Sequence, residues 1–416
     1  MQPGSNKPGK PGVTRPGMIV RLTPTSPWRI GPDSGARNHV DPVYHSDSLY
    51  GAVSAAMDRL GAFDEWLEAT ARRSVAAVAF SSCFPFVEEV NLVVPPRTLW
   101  PPSSPALLSS RVRWKSARFV PLSLIPSLLA GAPLSDSAWS VDGASQCLLP
   151  AGKPGPFRSS LRFHAAVDRL TGLGERHSVA CLEFRPGAGL WALVSFADEA
   201  ARERWSDRVK AAFRLLADSG FGGERSQGWG HAAPPEFTEG RLPEMILPAP
   251  AAKPAEASLQ QPVDLAPLLA PIPSLSRDSE GAVPEPPPTP GPEPAPSEPP
   301  ETPTLTSGRE GAVPEPPPSP HAEAAPAAAH WLLSLFTPAP SDAVDWTRGN
   351  YTLVARAGRV ASSGELKKTA QLVAEGSVLY ASSAPSGSAR DVAPDGAAYP
   401  VFRAGFAVSV PLPEVG

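Results

Sequence analysis

Cysteine is scarce in this chain: Cys83, Cys147 and Cys181 are the three in 416 residues. They are odd in number, far apart and never in CxxC spacing, which argues against a disulfide framework and a structural zinc and fits a reducing, cytoplasmic setting. Long apolar runs are missing too. No stretch of 18 or more apolar residues occurs, so no membrane-spanning helix is expected. Motifs of hydrolytic and nucleotide chemistry are equally thin: there is no HExxH, no GxxxxGK[ST], no Rossmann fingerprint and no adjacent Asp-Asp pair after glycines. Metal hydrolysis, nucleotide cyclisation and triphosphate binding therefore lack evident ligands. No catalytic residue, metal or cofactor is expected.

Proline, by contrast, is abundant at 55 residues. It lacks an amide donor and clashes with the preceding helical turn, so it has to concentrate outside helices and central strands. Residues 241–345 hold 27 of the prolines and 14 acids, against Arg241, Lys253, Arg277 and Arg309. That stretch carries −10, so the net charge of −4 conceals a body of +6. Within it GAVPEPPPTP at Gly281 returns as GAVPEPPPSP at Gly311, two copies being too few for a solenoid. Such a composition buries too little apolar surface to order itself, and predicts an extended, disordered tether over 241–345. One apolar island interrupts it, HWLLSLF at His330 to Phe336, readable either as a short docking helix or as incidental apolar sequence. Residues 1–17, basic and rich in Gly and Pro, read as a disordered leader.

The remaining segments, 18–240 and 346–413, show folded periodicities. MIVRLTP at Met18 alternates as a strand, and Ser46 to Thr70 reads as a helix with Ser46 or Asp47 as N-cap. SVAAVAFSSCFPF and EEVNLVVPP read as strands, with a short apolar helix at Leu122 to Leu129. HSVACLEFRPGAGLWALVSF predicts a hairpin turning at Pro186 to Gly189. Asp198 to Ser219 predicts the strongest helix, with Ala201, Trp205, Val209, Ala212, Phe213 and Leu216 on one face. Residues 350–412 alternate as strands. This order of elements is the grammar of βαββαβ units and predicts an α+β fold of antiparallel sheets covered by helices.

The strongest local signal is G-F-G-G-E-R-S-Q-G-W-G, Gly220 to Gly230. Gly222, Gly223, Gly228 and Gly230 would let backbone amides approach phosphate. Arg225, Ser226 and Gln227 could donate to phosphate or ribose, and Trp229 could stack a base. A flexible surface loop is the plainer alternative. Lys115 and Arg118, with Arg111 and Arg113, are interleaved with Trp114 and Phe119; Lys153, Arg158, Arg162 and Arg169 precede the hairpin. Basic residues among aromatics suit a track for single-stranded RNA, although a solvated charged face explains each cluster alone equally well. His39 and His45 could serve as a ribonuclease base, but nothing close by supplies a convincing partner acid or nucleophile, and a solvated or hydrogen-bonded role is favoured. The same holds for His164 and His177.

These residues resemble the RAMP superfamily of type III CRISPR effectors, and within it the Cas-five-group subunit of the type III-A Csm complex, the fourth Csm subunit. The glycine loop is similar to the superfamily's signature. HSDSLYGAVSAA at His45, SSCFPF at Ser81, KSARFVPLSLIPSLLAG at Lys115 and VDRLTG at Val167 narrow the resemblance, as do LKKTAQLVAEGSVLY and YPVFRAGFAVSVPLP beyond the tether. It covers roughly 18–240 and 346–413. The resemblance implies two ferredoxin-like (RRM-like) units, the second interrupted by the long Pro-rich insertion. It also implies a non-catalytic subunit that grips the 5′ repeat-derived handle of the CRISPR RNA and bridges the large polymerase-like subunit to the backbone RAMP filament. The alternatives are a CRISPR RNA-processing endoribonuclease of the same superfamily, using His45 or His39, and the equivalent subunit of a Cmr complex.

Overall fold

The structure is a computed structural model. It describes residues 14–32, 35–102, 114–135, 137–167, 170–171, 174–248, 327–360, 363–397 and 399–413. The chain divides into one unit of 1–251 with 323–416 and another of 252–322. Only the first contains described residues. Most of the tether expected at 241–345, residues 1–13 of the leader expected at 1–17, and Arg111, Arg113 and Arg169 lie outside them, while Arg15 to Gly17 of that leader belong to the first strand.

The strands are β1 (Arg15–Leu22), β2 (Val78–Phe80), β3 (Phe84–Val87), β4 (Val90–Val93), β5 (Val120–Pro121), β6 (Trp139–Asp142), β7 (Cys147–Pro150), β8 (Phe157–Val167), β9 (Gly174–Phe184), β10 (Ala188–Phe196), β11 (Glu236–Leu242), β12 (Ala328–Leu332), β13 (Val344–Asn350), β14 (Leu353–Arg356), β15 (Ala370–Val373), β16 (Val378–Ala381), β17 (Gly387–Asp391), β18 (Phe402–Phe406) and β19 (Ser409–Leu412). The helices are α1 (Ser46–Arg59), α2 (Phe63–Ala69), α3 (Ile125–Leu129) and α4 (Glu199–Ser219).

The first sheet has the order β11-β1-β10-β3-β4-β5, with β2 also paired to β10. Its register sets Val20 opposite Ala192 and Phe237, so these three apolar side chains share one face of the sheet. Helix α4 forms because Trp205, Val209, Ala212, Phe213 and Leu216 recur along one stripe, and all five are buried. Asp198 caps it, its carboxylate accepting from the Ala201 amide at 2.7 Å. Edge-to-face packing of Trp66 on Trp205, with centroids 5.3 Å apart, joins α2 to α4. The helix expected over 46–70 breaks into α1 and α2 at Gly61, whose φ of 70° is easiest for glycine. No side chain caps α1, whose N-cap is His45.

Two further differences concern pairing. The hairpin expected between 177 and 196 is absent: β9 pairs along its whole length with β8, from Phe157 opposite Phe184 to Val167 opposite Gly174, while β10 enters the first sheet between β1 and β3. Local turn residues were outweighed by longer-range pairing. HWLLSLF is neither tether nor docking helix. Ala328–Leu332 is an interior strand of the second sheet, order β13-β16-β12-β19, and Trp331, Leu332, Leu333, Leu335 and Phe336 are fully buried. Residues 236–248 are folded as well, so the segment between the described parts is 249–326. No helix occurs among the described residues of 327–413.

Candidate nucleic-acid interface

The glycine loop leaves α4 at Gly220 and folds back on the segment after β1. Gly222 has φ 74°, and a Cβ there would stand 2.3 Å from the Arg29 carbonyl oxygen; at Gly230, φ 85°, it would stand 2.1 Å from that of Phe221. The amides of Gly223 and Gly230 donate to the Arg29 and Pro27 carbonyls, each at 2.9 Å, and that of Gly228 to Arg225 at 3.0 Å. Phe221 stacks on Trp28 with centroids 5.0 Å apart. These glycines therefore serve close packing of the loop on its own chain, and those three amides are not a phosphate cradle. Trp229 is also not the expected stacking platform. It is 8% exposed and packs with Val179 and Cys181.

What the packing leaves outside is a short tip. Arg225, Ser226, Gln227 and Gly228 are exposed, Arg225–Gln227 forming one 3-10 turn. Arg225 makes no ion pair among the described residues, whereas Glu224 beside it meets Arg37 at 3.4 Å. Buried Arg29 fixes the neighbouring strand of chain by donating to the carbonyls of Ala36, Arg37 and Ala180 at 2.9–3.1 Å. Burial pulls its pKa below the ordinary arginine value.

The other expected cations fall in two places. Arg158 and Arg162 stand on the β8–β9 face that Trp229 covers, since directly opposed residues and alternate residues along a strand share a face and successive ones do not. Both bind Glu183, Arg158 at 3.0 Å, so their charge is partly neutralised. Lys115 and Arg118 lie instead beside a cavity between the basic segment and the C-terminal strands, lined also by Arg97 and Asn350. Arg118 reaches Asp41 at 3.1 Å, and residues 35–45 link this cavity to the glycine loop through Arg37. Arg97 and Arg37 were missed in the sequence because a single arginine beside prolines or in a polar loop carries no pattern.

His45 has two partner acids, Asp41 four residues before it and Glu375 from the C-terminal strands. Its Nδ1 is 2.7 Å from Glu375 and its Nε2 is 3.1 Å from Asp41. Burial alone would lower its pKa, but the Glu375 charge and the two hydrogen bonds raise it to about 10. The imidazole is thus a buried cation with both nitrogens engaged, and has no acceptor to offer a substrate hydroxyl at neutral pH. Asp47, 7% exposed, takes Arg356 through two bonds of 2.9 and 3.1 Å and binds Arg403 as well. Burial would raise its pKa; these arginines bring it down to about 2. Ser82 donates to Glu375 and accepts from the Ser46 amide, and the Ser46 hydroxyl accepts from the Leu335 amide. The Ser-Asp-Ser-Leu and Glu-Gly-Ser segments are therefore one buried polar seam joining α1 to the C-terminal strands.

Comparison with known proteins accords with this arrangement. The family model of the CRISPR Csm4 C-terminal domain matches residues 325–412, starting ahead of β12 and including HWLLSLF. A chain of the crystal structure of a Csm3-Csm4 subcomplex from a type III-A CRISPR-Cas interference complex superposes with a TM-score of 0.53 at 13% identity, over 95% of this chain and 100% of that one. A chain of a Csm1-Csm4 cassette solved with pppApA gives 0.46 at 14% identity, over 96% and 98%. No curated protein sequence matches. The fold, α+β with antiparallel sheets, is shared with that chain of the Csm3-Csm4 subcomplex. Residues 325–412 are thus similar in sequence to the C-terminal domain of Csm4 proteins of CRISPR systems. No helix among the described residues is long and apolar enough to cross a membrane.

Proposed function

We propose that this protein is a non-catalytic RNA-binding subunit of a type III-A effector, holding the 5′ repeat-derived handle of the CRISPR RNA and bridging the large polymerase-like subunit to the backbone RAMP subunits. The glycine loop carries the reading: its inner glycines are committed to packing, and this holds Arg225, Ser226 and Gln227 outward on a rigid base. A positioned arginine and two neutral donors suit phosphate and ribose better than base edges. The Csm3-Csm4 subcomplex supports backbone RAMP subunits as partners. In the first sheet, β1-α1-β3-β10-α4-β11 pair in the order β11-β1-β10-β3, which supports a ferredoxin-like first unit. The second unit is built from 327–413, and 252–322 serves as a connector inserted ahead of it.

Binding of repeat RNA by the purified chain tests the reading. Arg225→Glu should weaken binding and flatten the dependence of log K on log salt by about 0.7, the share of one phosphate on a single strand. Unchanged affinity and slope would remove the glycine loop from the RNA path. Site-specific cutting of repeat RNA, abolished by His45→Ala, would overturn the non-catalytic reading in favour of an endoribonuclease.

A further inference from the structure

The cavity beside Lys115 and Arg118 has a volume of about 520 Å³, within the roughly 300–1,000 Å³ that holds a small-molecule-sized ligand. Its walls come from both described parts of the chain, which no sequence motif joins. Three cations stand around it, Arg97, Lys115 and Arg118. Arg97 is set in place by the C-terminal strands: its Nε donates to the Asn350 side-chain oxygen at 3.3 Å and its amide to the Gly376 carbonyl at 2.9 Å. Arg118 is pinned by Asp41, while Lys115 is exposed and makes no ion pair among the described residues. At the floor, the His45 cation lies between the carboxylates of Asp41 and Glu375. Three cations over a floor of −1 leave the site at +2. The lining also includes apolar Val94, Pro95, Leu353 and Val354. Trp100 is held there by a bond from its Nε1 to the Trp114 carbonyl at 3.2 Å.

Apolar surface and cations lining one cavity match the chemistry of a nucleotide: a flat, weakly hydrated base and an anionic phosphate. We propose that this cavity seats one nucleotide of the bound single-stranded RNA, its base against the apolar surface and its phosphate at Arg97 and Lys115. The inference rests on the RNA-binding reading and adds a specific second site to it, one that forms only when the C-terminal strands are docked.

Fluorescence anisotropy of 3′-labelled single-stranded repeat RNA, titrated with the full chain at several salt concentrations, tests the inference. Arg97→Ala with Lys115→Ala should weaken binding roughly tenfold or more and flatten the salt dependence by up to about 1.4, at about 0.7 per phosphate. Leu353→Trp, on an exposed residue of the rim, fills the cavity without changing charge; it should weaken binding and leave the slope unaltered. Wild-type affinity in Leu353→Trp, with Arg225→Glu still impaired, overturns the cavity site while sparing the RNA-binding reading. No RNA binding by the wild type overturns the RNA-binding reading itself. A parallel titration with AMP, CMP, GMP and UMP separates the sources: saturable binding lost in Leu353→Trp, with RNA affinity unaffected, would make this a free-nucleotide site and contradict the proposal.

Discussion

At the scale of single residues, the buried seam is where charge decides stability. Asp47 neutralises two arginines that are themselves buried, Arg356 and Arg403. Asp47→Ala leaves both without a counter-charge, and urea unfolding should show a loss of about 3–5 kcal/mol. His45 acts in the opposite direction on the pH axis. Its folded pKa of about 10 lies above the unfolded value of about 6.5. Its contribution is therefore complete below about pH 6.5, declines as pH rises, and is gone above pH 10. His45→Gln should flatten that decline in unfolding free energy; an unchanged alkaline profile would show that the ion pair contributes nothing. The seam was half legible beforehand. Ser46, Asp47 and Glu375 stood out as matched segments, but nothing in sequence tells that Glu375 reaches His45 across 330 positions.

Elements show where local pattern ceases to inform. The α4 stripe was legible because five apolar residues recur at helical spacing over 21 residues. Strand partners were not, because β9 satisfies the same alternation beside β8 or β10 and only the three-dimensional competition selects β8. The glycine loop was found as a motif but misread in mechanism: spacing cannot distinguish glycines that approach phosphate from glycines that approach Arg29 and Phe221. HWLLSLF was masked by its proline-rich surroundings, although five consecutive positions with four large apolar residues suit a doubly covered strand. Its burial yields a sharp contrast. Replacing 252–322 by a Gly/Ser linker of equal length should leave the melting temperature of the chain within a few degrees. Extending the replacement through 340 removes β12 and should yield insoluble protein. Insolubility of the shorter replacement would show that 252–322 is structural.

For the whole molecule, division of charge matters more than its sum. The acidic stretch within 241–345 accounts for the negative total, and the remainder carries +6. Some of that excess is consumed internally, as at Asp47 and Glu183, whereas Arg225, Lys115 and Arg97 are exposed and make no ion pair among the described residues. An interface of so few charges suits the proposed function, a short RNA end held by a subunit with protein partners. The complex assembled in cells from this chain, the proposed Csm partners and a CRISPR array provides the direct measurement, by ultraviolet crosslinking followed by mass spectrometry of RNA-linked peptides. The account predicts crosslinks from handle nucleotides to peptides containing Arg225 and to those containing Arg97 or Lys115. Handle crosslinks confined to other subunits, with none on this chain, would contradict it.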